Sequence, residues 1–145
     1  MRQVIVGRYQ GIVDWLKDRL NAQVEGLYTT IGVLDENGAL LGGGMLHNWT
    51  RYDMELTYYG QDTMSRRVFQ KIAEAGEEAN CHRMTIRVPR GHRKTLVSLP
   101  RLGFKYEGTQ RRFYGPRKAD DAIAFGILAS EWTRFLPKAE LRKAA

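Results

Sequence analysis

Residues 92–108 read HRKTLVSLPRLGFKYEG, two structural signals joined at a single point. The first half carries apolar residues at helical spacing and meets a helix breaker at Pro100. The second half is a Gly-Phe step running into an alternating, basic strand. Leu102-Gly103-Phe104 suits a helix C-terminus, because glycine takes the left-handed cap conformation and the next apolar side chain packs back on the last turn. The stretch predicts a short helix over 92–99, ended near Pro100, and then a strand over 104–113.

Working outward, 65–79 carries Val68, Phe69, Ile72, Ala73 and Ala75 on one side and reads as a helix. Residues 83–88 form a strand closed by Pro89-Arg90-Gly91. Earlier, 2–6 reads as a strand, and 9–20 as an amphipathic helix with Ile12, Val13, Leu16 and Leu20 on its apolar side. A β-rich run over 27–34 ends at Asn37-Gly38, a hairpin signal, and 39–47 returns as its partner. Within that partner Gly42-Gly43-Gly44 points to a bulge or a close approach of backbone. Residues 53–59 make a third strand of the meander, 121–128 a last strand, and 130–136 a helical turn. The order is β-α-β-β-β-α-β-α-β-β, an α/β chain with a mixed sheet flanked by helices, in one domain over 1–136 with a flexible tail over 137–145.

Composition narrows the function classes. At 145 residues roughly 70% of the unfolded surface can be buried, enough for one ordinary core. No apolar run approaches the about 20 residues that span a bilayer, and the first residues lack the pattern of a signal peptide. Cys81 is alone, so no internal disulfide or cysteine metal cluster is expected, and the setting is read as cytoplasmic. His47, His82 and His92 have no zinc-site spacing and read as surface or strand-end residues; no metal is expected. Trp15, Trp49 and Trp132 read as packing residues, with lining an acceptor pocket as the alternative for Trp49. A net charge of +7, densest between Arg83 and Lys118, attracts anions such as nucleic acid or phosphate-bearing cofactors.

The element order, the R-M-T-I-R-V strand and the L-G-F-K-Y-E-G run together resemble the GCN5-related N-acetyltransferase superfamily. That family's segment N-x-x-A-x-x-x-Y-x-x-x-G-F places His92 at its Asn, Thr95 at its Ala and Leu99 at its Tyr. The closing D-x-x-x-F-G-x-L-x-x-E-W pattern, Asp121 to Trp132, is similar to that of bacterial and phage members, which suggests a phage-encoded chain in a host cytoplasm. The resemblance implies transfer of an acetyl group from acetyl-coenzyme A (acetyl-CoA) to an amine, with protein amines among the expected acceptors and a homodimer among the expected assemblies.

By the same resemblance, coenzyme A lies where two strands splay apart, along Tyr58 and Tyr59. Its diphosphate then meets the loop and helix start formed by Thr63, Met64, Ser65, Arg66 and Arg67, with His92 nearby. A helix N-terminus favours anions through its unpaired N–H groups and dipole. The family's loop reads R/Q-x-x-G-x-G/A; here Gly60, Thr63 and Ser65 hold those positions, so its phosphate-facing glycines are replaced. Ser65 before a helix is also ordinary N-capping.

Amine acetylation needs a base. Asp53, Glu55, Thr57 and Tyr59 share one face of their strand, and Met54, Leu56 and Tyr58 share the other, core-like one. Glu55 is the first candidate for the base and Asp53 the second. Leu99 cannot donate a proton as the family's tyrosine does, and Ser98, His92, Tyr106, Tyr114 or water stand as substitutes. The rival reading keeps the fold without catalysis and uses the basic, aromatic-studded second half to bind nucleic acid or a protein partner, as an accessory or virion component.

Overall fold

The computed structural model describes residues 2–20, 24, 26–61 and 64–137. Thr63, among the expected cofactor contacts, lies outside the described residues, as does most of the expected tail. Among the described residues seven strands and four α-helices follow the expected order: β1 Gln3–Gly7, α1 Gln10–Arg19, β2 Thr29–Leu34, β3 Leu40–His47, β4 Asp53–Gly60, α2 Arg66–Glu78 and β5 Arg83–Pro89. Then come α3 Arg93–Arg101, β6 Lys105–Gln110, β7 Ala122–Leu128 and α4 Ala129–Trp132. One sheet runs β1-β2-β3-β4-β5-β7-β6, with every neighbouring pair antiparallel except β4 and β5.

The period-two alternation of β4 decides what each sheet face does. Met54, Leu56 and Tyr58 are buried with Met84 and Ile86 of β5, Phe125 and Ile127 of β7, and the apolar side of α2 (Val68, Phe69, Ile72). Leu99 and Leu102 of α3 join this core. On the other face α1 packs Ile12, Val13 and Leu16 on Met45. Toward β5 that second face becomes polar and half-exposed, with Asp53, Glu55, Arg83, Thr85 and Arg87 on it.

The glycine run of β3 serves close packing on both faces. A Cβ at Gly43 would sit 3.2 Å from Ile12 and 3.3 Å from Trp15 of α1, and one at Gly44 would sit 3.1 Å from the Tyr58 ring. Both are tighter than ordinary contact, so side chains there would lift α1 or displace Tyr58.

The helix expected to end near Pro100 runs on to Arg101. Pro100 sits in the last turn, where its missing N–H forfeits only the bond to Leu96 C=O. The cap then recovers the loose carbonyls: Gly103, at φ +102°, donates its N–H to Pro100 C=O at 3.1 Å, and Phe104 donates to Leu99 C=O at 3.0 Å. This is the full pair of bonds of a Schellman cap, with Phe104 and Leu99 both in the core. The following strand is shorter than expected, 105–110 against 104–113. The chain from 111 to 121 instead forms a loop pinned by buried Asp121, which accepts from the Arg112 N–H at 2.9 Å and the Arg112 guanidinium at 2.8 Å.

His47 is the last residue of β3, as the strand-end reading has it, and is fully buried, opposite Glu55 in the β3–β4 register. One further expectation is corrected. Trp49, expected to pack, is 44% exposed and lines a cleft of about 510 Å³ on the α2 face, the face opposite Glu55.

Candidate functional site

β4 and β5 pair only over Asp53–Leu56 and Arg83–Ile86. Both strands continue past that point, β4 to Gly60 and β5 to Pro89, without pairing to each other. The result is a wedge in the sheet. The β5-facing edge of residues 57–60 has no strand partner, and the chain leads from it into the N-terminus of α2.

Around the wedge the expected residues divide. Tyr59 comes from the unpaired end of β4 and His92 from the N-cap of α3, and their rings meet edge to face with centroids 5.2 Å apart. Trp15 continues the row, 5.6 Å from Tyr59, with Arg19 stacked over it at 4.1 Å. Burial pushes the His92 imidazole below its ordinary range, so the ring favours its neutral form. Tyr58, on the opposite side of the strand, is buried against the α2 core.

At the start of α2, Ser65 Oγ accepts from the Val68 N–H at 3.1 Å, an N-cap bond. The N–H groups of Arg66 and Arg67 precede any intrahelical acceptor, as first-turn amides do. Met64 is buried, and its N–H donates to Ser98 Oγ at 3.2 Å, while Ser98 donates to Thr95 C=O at 2.7 Å. These bonds strap the loop before α2 to α3. Between the two helices Arg66 and Arg101 flank a crevice of about 220 Å³ that also touches Met64, Ser98 and Leu102.

Below the wedge lies a ladder of charge pairs. Glu55, 25% exposed, is ion-paired with Arg87 of β5 and accepts from Asn48 Nδ2 at 3.1 Å. His47 Nε2 lies 3.5 Å from Glu55 Oε2 and 2.8 Å from Thr57 Oγ1. Asp53 accepts from Arg83 Nε at 3.2 Å and from Thr85 Oγ1 at 2.9 Å, and Arg83 in turn meets Glu107 at 2.6 Å. The Glu107 pair, then Asp53, raise the Arg83 guanidinium further above its ordinary value.

Among the substitutes for the absent tyrosine, Tyr106 is exposed on edge strand β6 and bonds Thr109. Ser98 is committed to the helix strap. Tyr114, held on the pinned loop by its N–H to Asp120 C=O at 2.9 Å, donates its hydroxyl to the Arg87 C=O at 3.2 Å. Burial pushes the Tyr114 phenol up to about 12, with Glu55 adding to the rise and Arg87 opposing it. Leu99 is fully buried in the core. Sequence reasoning missed His47 and Arg87. Arg87 carried a usable signal, its period-two spacing from Arg83 and Thr85 on a strand parallel to β4, whereas nothing local marked His47.

No family model matches this chain, and no curated protein matches it. Solved structures do. The spermidine/spermine N-acetyltransferase SpeG from Vibrio cholerae superposes with a TM-score of 0.68 at 13% identity, covering 92% of this chain and 98% of that one. A complex of the Vibrio cholerae spermidine N-acetyltransferase with CoA and spermine gives 0.65 at 13% identity, covering 90% and 97%. A dodecameric structure of that organism's enzyme gives 0.66 at 14% identity, covering 90% and 96%. At such identities the likeness is one of architecture. The fold is that of the GCN5-related N-acetyltransferases.

Proposed function

We propose that this protein is an N-acetyltransferase that uses acetyl-CoA and an amine acceptor. The observation that carries the reading is the wedge itself, two parallel strands that stop pairing at Leu56 and Ile86 just before the chain enters α2. Acetyl-CoA supplies the activated thioester. The residues present fit it: the free edge of 57–60 offers backbone hydrogen-bonding groups to an extended chain, and Tyr59 and His92 wall the opening. The first-turn amides of Arg66 and Arg67, with their side-chain charge, suit a diphosphate. Met64 contributes its place in the helix strap, and the family's glycines are replaced by Thr63 and by Ser65, the second of which caps α2.

In this reading Glu55 takes the proton from the acceptor nitrogen, held in place by Arg87, Asn48 and nearby His47. Asp53 is the weaker candidate, since Arg83 and Thr85 both occupy the same Oδ1. Tyr114 keeps its proton on Oη throughout the working pH range and, on turning its hydroxyl from the Arg87 C=O, offers the sulfur a hydrogen bond that Leu99 cannot. Calorimetry with acetyl-CoA is the deciding experiment. Micromolar binding is expected; no binding at millimolar ligand, with salt-sensitive DNA or RNA binding instead, would replace this reading with a binding-only member of the fold.

A further inference from the structure

The chemistry beside Glu55 names a class of acceptor. Glu55 does not stand as a bare carboxylate: the Arg87 guanidinium is fixed against it, both on the half-exposed face that leads into the wedge. Arg87 uses Nε on Gln110 Oε1 at 2.9 Å and Nη1 on Glu55, and its Nη2 has no acceptor among the described residues. The side chain is 33% exposed, and its Cζ lies 6.0 Å from the centre of the half-exposed Phe113 ring.

We infer that the acceptor is a zwitterionic amine, an α-amino acid whose ammonium meets Glu55 and whose carboxylate meets Arg87. This rests on the transferase reading and sharpens it. A carboxylate and a guanidinium held side by side present a fixed dipole, and an amino acid carries the matching dipole one carbon apart. Arginine binds a carboxylate through parallel N–H groups, which orients the amine as well as holding it. Phe113 gives an apolar side chain a surface to rest on. The ammonium gives up two protons during transfer. Glu55 takes the first and frees the nitrogen lone pair, which forms the new C–N bond as the thioester C–S bond breaks and its electron pair leaves with sulfur. The second proton passes from the nitrogen to the departing sulfur, giving the free thiol.

The same geometry disfavours a polycation. Asp53 and Glu55 are already paired with Arg83 and Arg87, and the chain's net charge is +7. A polyamine acceptor would meet guanidinium groups at the very carboxylates it needs.

The test compares L-phenylalanine with phenethylamine, the same molecule without its carboxylate, and with spermidine. Thiol release from acetyl-CoA is expected to give a kcat/KM at least about 100-fold higher for L-phenylalanine than for either amine. Arg87→Gln should raise the KM for L-phenylalanine about tenfold or more relative to phenethylamine, with partial recovery in Arg87→Lys. A common loss of kcat for both substrates would instead reflect only the disturbed Glu55. Equal or higher kcat/KM for phenethylamine or spermidine overturns the proposal. NMR of the Arg87 Nε–H reads the site without turnover: L-phenylalanine at millimolar concentration should shift it and phenethylamine should not, and no shift with either counts against the zwitterion site. Failure of the transferase reading shows up separately, as absent calorimetric binding of acetyl-CoA.

Discussion

Tyr59 and His92 meet edge to face, ring centroids 5.2 Å apart, across the point where β4 and β5 part. One residue belongs to the strand that loses its partner, the other to the cap of the helix that follows the second strand. Their contact closes one side of the wedge, and the burial it brings lowers the pKa of the His92 ring.

His92 should therefore titrate below 6.5 in the folded protein. The unfolded chain binds the proton more readily, so the contribution to stability is complete above about pH 6.5 and is lost as pH falls through the depressed folded value. NMR titration of the imidazole protons checks the shift, and His92→Asn should flatten the pH dependence of the urea midpoint in that window. A midpoint at or above 6.5 contradicts the burial argument.

Ser65→Asp separates capping from cofactor binding. Aspartate caps a helix as well as serine and favours the positive end of its dipole, so stability should hold or rise. The added negative charge should repel the diphosphate and weaken acetyl-CoA binding about tenfold or more, ~1.4 kcal/mol. Unchanged affinity by calorimetry would move the diphosphate away from this helix.

Glu55→Gln should lower the rate of acetyl transfer about 10²- to 10⁴-fold while acetyl-CoA affinity changes little. Asp53→Asn should cost less, because Asp53 is engaged by Arg83 and Thr85. Steady-state kinetics with calorimetry on both variants ranks them. Unaltered turnover in Glu55→Gln removes it from the base role.

Tyr114→Phe deletes a hydroxyl without disturbing the loop bond made by the Tyr114 N–H. Turnover should fall about tenfold or more with cofactor affinity preserved, as expected for a lost proton donor. Full activity would return that role to water.

Gly103→Ala tests the cap that joins α3 to β6. At φ +102° an alanine is strained, and its Cβ would lie 3.2 Å from the Arg134 guanidinium. A loss of about 1–2 kcal/mol in urea unfolding is expected. No change would mean that the junction relaxes to a different cap.

Much of this is legible in the sequence. The faces of β4 followed from a side-chain period of two, and the Schellman cap from Leu102-Gly103-Phe104. Pro100 marked the helix end to within a residue, since a proline in the last turn costs one hydrogen bond and the helix closes at Arg101. The strand-end place of His47 was readable but its burial was not, since that depends on the β3–β4 register that sets it beside Glu55 and Thr57. Trp49 misled for a related reason: average burial of tryptophan says nothing about a residue in a connection beside a cleft.

The chain's own pattern of apolar residues, glycines and caps was sufficient for the elements, their order and which strand carries Glu55, because these depend on neighbours a few residues apart. Tertiary packing alone decided where β4 and β5 cease to pair, that Tyr59 reaches His92, and that Arg87 stands against Glu55. Those relationships join residues about 30 positions apart, and only the seating of α2 and α3 on the sheet brings them together.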